Sequence, residues 1–111
     1  MGHRSNKYGN KKTTIGSITY DSKLEAERTA ELALLQITGE ISDLQRQVKF
    51  ELLPKQKDER SVSYIADFVY TENNNTVVED VKSEATAKDK AYILKRKLFK
   101  WRYPHILFRE T

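Results

Sequence analysis

Apolar residues recur along this chain first at helical spacing, then at strand spacing, then at each once more. The pattern in "KLEAERTAELALLQIT" is helical. It opens after Ser22, an N-cap residue with Glu25 three positions on, and stops at Gly39. A short strand through "IGSITY" precedes it. "QVKFELL" alternates, with Val48, Phe50 and Leu52 on one face, and Pro54 ends the run. "SYIADFVY" alternates again, and the polar turn "TENNNT" leads into "VVEDVK", so these two segments predict a hairpin. A second amphipathic helix is expected over about residues 87–103, with Ala91, Leu94, Leu98 and Trp101 as its apolar stripe. Pro104 stops it, and "HILFRE" closes as a strand. Helix, three strands, helix, strand is the order of an α/β domain with helices packed on one small mixed sheet.

Composition narrows this picture. A chain of 111 residues, 38% apolar and 32% charged, supports one domain with one modest core. No apolar run approaches the roughly 20 residues that span a bilayer, and the N-terminus is not patterned as a secretory signal. The chain has no cysteine, so disulfides and thiolate metal sites are excluded and a reducing cytoplasm is the expected setting. Charge is unevenly spread. Arg4, Lys7, Lys11 and Lys12 precede the first acid, Asp21, and account for the net +4. Residues 1–14 therefore read as a flexible basic arm and residues 15–111 as the folded domain. A second basic cluster, residues 88–103, holds seven Lys/Arg against the single acid Asp89. Two such clusters suit a polyanionic partner, with plain solvation as the alternative.

The stretch "TVVEDVKSE" places two acids and a lysine among β-forming valines. Side chains two apart on a strand share a face, so Asp80 and Lys82 go with Val78, and Glu79 goes with Val77 and Val81. Asp67 shares its face with Ile65 and Val69 on the preceding strand, and a hairpin would bring it close to Asp80. Two converging carboxylates call for a cation, and Mg²⁺ is typically held by one or two of them with waters and phosphate oxygens. An isolated D-x-K is otherwise an ordinary surface ion pair. Glu25 lies at the margin of the first helix's packed face; capping Ser22 and reaching the sheet are both open to it. Lys95 has Ala91, Tyr92, Leu98 and Phe99 around it on the helix, so it either snorkels or reaches the site. Lys90, Lys97 and Lys100 occupy a solvent-directed arc suited to phosphate contacts. His3 and His105 have no ligand spacing around them.

"YDSKLEAE", "YIADFVY" and "VVEDVKS", in this order, resemble the PD-(D/E)XK nuclease superfamily, which includes restriction endonucleases and Holliday junction resolvases. The "GNKKT" start, the Gly39-x-Ile41-x-x-Leu44 spacing and "KRKLF" are similar to a small phage-encoded family of that superfamily. The resemblance runs from about Tyr8 to Glu110. It implies Glu25 as the helix acid, Asp67 as the first strand acid, and Asp80 and Lys82 as the D-x-K pair. Mg²⁺, with Mn²⁺ able to substitute, would be held by Asp67, Asp80, Glu25 and the Val81 carbonyl. Ala66 stands at the superfamily's proline position, and Ser83 follows Lys82 where relatives often have glycine.

The resulting expectation is a metal-dependent DNA endonuclease with a restriction-endonuclease-like domain, acting on branched DNA as a homodimer in a bacterial host cell. Lys7, Lys11, Lys12, Lys90, Lys95, Lys97 and Lys100 would contact DNA, and neither a membrane nor a small-molecule cofactor would take part. The rival expectations are a non-catalytic DNA-binding or packaging accessory and a nuclease subunit that needs a partner.

Overall fold

A computed structural model describes residues 13–15, 18–20 and 23–111. Its elements run in order β1 (Thr13–Ile15), β2 (Ile18–Tyr20), α1 (Lys23–Ile37), β3 (Ser42–Leu53), β4 (Val62–Glu72), β5 (Asn75–Asp80), α2 (Glu84–Ala87), α3 (Lys90–Arg102) and β6 (Leu107–Glu110). The single strand expected through "IGSITY" is instead an antiparallel pair, β1 with β2. The main sheet has the order β3-β4-β5-β6, antiparallel except for the parallel β5–β6 pair. The fold is therefore a small α/β domain with a four-stranded mixed sheet, as the pattern predicts. Ser22 and the lysines of the expected arm, Lys7, Lys11 and Lys12, lie outside the described residues, while Thr13 and Thr14 already belong to β1.

Local chemistry sets the boundaries. Gly39 ends α1 in the left-handed region at φ 86°, where its N–H and that of Glu40 satisfy the carbonyls of Gln36 and Leu35. A Cβ there would meet no atom within 4 Å, so the requirement is conformational and not one of space. Asn73 and Asn74 both take positive φ and join β4 to β5 in a two-residue turn, closed by the Glu72–Asn75 pair. The second helical stretch is split. Ser83 caps the short α2, and the Asp89 carboxylate accepts from the Tyr92 N–H to start α3.

Two apolar clusters cover opposite faces of the sheet. Leu52, Tyr64, Ala66, Val78, Tyr92 and Phe99 join the sheet to α3. Leu32, Ile41, Phe68, Tyr70 and Val77 join it to α1. Val48 and Phe50 sit with Leu52 on the α3 side, as the alternation predicts, but Leu44 packs on the α1 side. The break falls at Gln47, whose φ of 53° turns the strand over. On β4, Ala66 and Phe68 also belong to different faces although two residues apart, so the alternation breaks around Asp67. Among the described residues, no helix is long and apolar enough to cross a membrane.

Of the apolar stripe expected on the second helix, Leu98 is half-buried against the α3-side cluster, but Ala91, Leu94 and Trp101 are not buried. Phe99 is fully buried, with rings of Phe50, Tyr64 and Tyr103 at centroid distances of 5.1, 5.3 and 5.2 Å. Trp101 is 74% exposed, Leu94 59% exposed, and Ala91 also faces solvent. Helical periodicity fits both stripes; aromatic partners on β3, β4 and β6 select the one through Tyr92 and Phe99. Phe99→Ala is expected to cost about 3–5 kcal/mol of stability, whereas Trp101→Ala should change it by no more than about 0.5 kcal/mol. Urea denaturation of the two variants measures the difference, and equal losses would contradict this orientation of α3.

Candidate functional site

Adjacent residues on β5 point to opposite faces, and each face meets its carboxylate differently. Glu79, on the α1 side, is fully buried. Arg28 of α1 donates to it twice, through Nε at 2.6 Å and Nη2 at 3.1 Å. The Tyr70 and Thr111 hydroxyls donate at 2.5 and 3.0 Å. Burial alone would raise the Glu79 carboxyl's pKa, but these donors outweigh it and hold the group below its ordinary value. Burial and the bond to Glu79 push the Tyr70 hydroxyl up to about 12. Arg109 also donates to the Tyr70 oxygen, at 2.8 Å, and to Glu72 at 3.0 Å. Glu79 is thereby built into the fold, consistent with its assignment to the side away from the D-x-K pair.

Asp80, also fully buried, faces the α3 side. The β4–β5 ladder ends at the Phe68–Glu79 pair, and beyond it the strands part. Side chains take over where the ladder stops. Asp80 Oδ1 accepts from the Asp67 N–H at 3.0 Å, and Asp67 Oδ2 accepts from the Val81 N–H at 2.9 Å. The two acids thus satisfy each other's strand at the fork. Asp80 Oδ2 accepts from the Tyr64 hydroxyl and lies 3.9 Å from Lys82 Nζ. The ammonium of Lys82 also stands 4.7 Å from the centre of the Tyr92 ring. Thr111, just past β6, steadies this segment: its N–H donates to the Asp80 carbonyl at 2.9 Å and its carbonyl accepts from the Lys82 N–H at 3.0 Å.

The site is electrostatically loaded. Burial pushes the Asp67 carboxyl from its ordinary 3.8 up to about 6; the Val81 N–H and Lys82 oppose the rise, and Asp80 and Glu25 add to it. Burial and the neighbouring Asp80 also raise the Tyr64 hydroxyl, keeping it a proton donor.

Glu25 is buried in the first turn of α1 and accepts from Arg46 Nη2 at 3.0 Å and Gln47 Nε2 at 2.8 Å. Its charge reaches Asp67, yet the described residues include no group of three His, Cys, Asp or Glu side chains able to hold one metal ion. The acid pair, with the Val81 carbonyl beside it in sequence, therefore offers hard oxygen donors suited to a cation held by two carboxylates. The three-acid set implied by the family resemblance is not drawn together.

Lys95 reaches the site's margin. With Lys82, Tyr64, Ile65, Ala91 and Tyr92 it lines an open groove on the α3 side. Lys90, Lys97 and Lys100 are exposed on α3, and Lys100 Nζ stands 5.2 Å from the Phe108 ring centre. Sequence reasoning missed Tyr64, Tyr92, Arg28, Arg46 and Gln47. Tyr64 could not be paired with Asp80 by counting along strands, because the alternation breaks around Asp67. Arg28, the cation between Glu27 and Glu31 on α1, was the available signal for the Glu79 partner.

The fold and site define a class: a small α/β domain that carries two interlocked carboxylates and a lysine where central strands of its sheet part. A family model described as "Protein of unknown function (DUF1064)" matches residues 5–109, and the chain belongs to that family. No curated protein matches the chain.

The raised Asp67 carboxyl has a measurable consequence. Folded, the group keeps its proton up to about pH 6; unfolded, it loses it near 3.8. Its contribution to stability is greatest below about pH 4, declines as pH rises through the interval from 3.8 to about 6, and is level above. Asp67→Asn should abolish that decline and, without divalent cations, raise stability near pH 7 by roughly 1–2 kcal/mol after allowance for solvent screening. Denaturation at pH 4.5 and 7.5 tests it, and a variant destabilised at both would refute the loading of this site.

Proposed function

We propose that the protein is a metal-dependent DNA endonuclease of the PD-(D/E)XK type, with branched DNA as its substrate class. The observation that carries this reading is the fork itself: Asp67 and Asp80 interlocked at 2.9 and 3.0 Å, with Lys82 3.9 Å from Asp80. The sheet order, with β6 parallel to β5, and the separation of Glu79 from Asp80 support it further.

Asp67, Asp80 and the Val81 carbonyl are the residues that would hold Mg²⁺. Glu25 stands behind Arg46 and Gln47 as an acid that shapes the local field. A bound divalent ion supplies an activated water and offsets charge on the phosphate. The chain's own contribution is positional. Tyr64 and the Asp67 amide fix the Asp80 carboxylate, and the Val81 amide fixes that of Asp67. Lys82, held between Asp80 and the Tyr92 ring, is placed to orient or deprotonate water, or to compensate developing phosphate charge. Lys95 extends positive charge along the groove. The branched substrate and the homodimer rest on the resemblance, because one fold serves nucleases with different targets.

The amide bonds that already engage both carboxylates favour one rival, a DNA-binding protein without catalysis, and cleavage separates the two. With Mg²⁺ or Mn²⁺, nicking of a four-way junction is expected, with Ca²⁺ supporting binding alone. Asp67→Asn, Asp80→Asn and Lys82→Ala should each lower the rate by at least about 10²-fold while DNA still binds. Glu79→Gln should act through stability instead, lowering the melting temperature by breaking a buried ion pair. No cutting of junction, duplex or single strand with any of these metals would leave the non-catalytic reading.

A further inference from the structure

The outer face of α3 presents large apolar side chains to solvent among exposed lysines; the acids nearest it are Asp89, which caps the helix and lines the groove, and Glu51, paired to Arg102 at 3.7 Å. Leu94 and Trp101, seven residues apart, lie in line along the helix and are 59% and 74% exposed. Helical geometry puts Lys90 and Lys97 on one margin of this line, and Lys95 and Arg102 on the other. The helix has no acidic residue. It starts at the candidate site, since Ala91 and Lys95 line the same groove as Lys82. From Ala91 to Trp101 is about 15 Å at 1.5 Å per residue, the length of about four nucleotide steps at duplex spacing.

We infer that Trp101 is a stacking platform for unpaired bases, reached by a strand that leaves the groove along α3 between the two rows of cations. This inference rests on the DNA-binding reading and specifies which part of the substrate this face takes. Charge complementarity selects the occupant. A second copy of the chain laid face to face on this helix would oppose Lys and Arg with Lys and Arg. A nucleic acid strand neutralises them and offers flat apolar bases to the exposed indole. In intact duplex the bases are stacked on one another, so the platform favours forks, junction centres and frayed ends.

The chain contains a single tryptophan, so its emission reports this position alone. The experiment titrates the full-length protein, in Ca²⁺, with a labelled fork bearing oligo-dT arms and with a matched duplex. DNA anisotropy, indole emission and acrylamide quenching are followed together. Bound fork should quench the indole and shield it from acrylamide. Trp101→Ala should weaken fork binding on the order of tenfold with much less effect on duplex, and Trp101→Phe should retain most of the affinity. Lys97→Ala should weaken both DNAs alike. Fork bound at saturation with the indole still open to acrylamide would overturn the platform and leave DNA binding standing. So would an emission change that tracks protein concentration and a doubling of sedimenting mass, which would assign the face to a second copy. Absence of any DNA binding would overturn the platform together with the function proposed above.

Discussion

The ion pair between Arg28 and Glu79 fixes how the rest of the domain is arranged. A carboxylate with no solvent exposure is tolerable only when donors replace its water, and Glu79 has four, from α1, β4 and the C-terminal residue. That bond ties α1 to β5 on one face of the sheet. Removing one member of such a buried pair typically costs about 3–5 kcal/mol, a large part of the roughly 5–15 kcal/mol that holds a domain of this kind together. Once Glu79 is committed to α1, strand geometry leaves Asp80 no choice but the α3 face. The structural acid and the candidate catalytic acid are thus adjacent because each occupies the side that the other cannot.

The two faces treat charge differently. Around Glu79, a guanidinium and two hydroxyls saturate the carboxylate. Around Asp80 the donors are a main-chain amide and a tyrosine, and among the described residues the cation paired with it is an ammonium at 3.9 Å that also leans on an aromatic ring. Asp67 completes the contrast, a half-buried acid pushed up to about 6 with another carboxylate beside it. A fold that needed acids at the fork only to satisfy two amides could have used asparagine, which accepts those bonds without charge. The excess negative charge is the feature that the hydrogen bonding does not explain.

What could be read from the sequence follows the range of the interaction responsible. Helix termination at Gly39, the asparagine turn and the opposed faces of Glu79 and Asp80 each depend on a few neighbouring residues, and each was legible. The fork was legible in part: strand parity and a hairpin bring Asp67 toward Asp80, but the exchange of carboxylate–amide bonds follows from strands that part at that level. The alternation fails at Gln47 and around Asp67, and no glycine marks either place. Tyr64 and Glu25 consequently acquire partners that counting along strands could not assign. The face of α3 was legible from periodicity only at Leu98, which packs against the α3-side cluster. Ala91, Leu94, Leu98 and Trp101 form as good an apolar stripe as Tyr92 and Phe99, and the choice is made by Phe50, Tyr64 and Phe108 around Phe99.

That choice links packing to the proposed chemistry. Because Tyr92 and Phe99 take the buried side, α3 turns its exposed lysines and its tryptophan outward, and its N-terminal half brings Lys95 to the groove beside Lys82. The surface so formed would attract phosphates, while the acids at the fork would repel them. A phosphodiester drawn along the lysines would meet uncompensated carboxylate charge at Asp67 and Asp80, and Lys82 alone cannot neutralise both. In the proposed function a divalent cation at the acid pair would remove the conflict: it would lower the proton affinity of Asp67 and replace repulsion with a shared counter-charge. On that proposal, attraction across α3 and repulsion at the fork would be two parts of one arrangement, in which a polyanion could approach along the lysines but would settle at the fork only with a cation there.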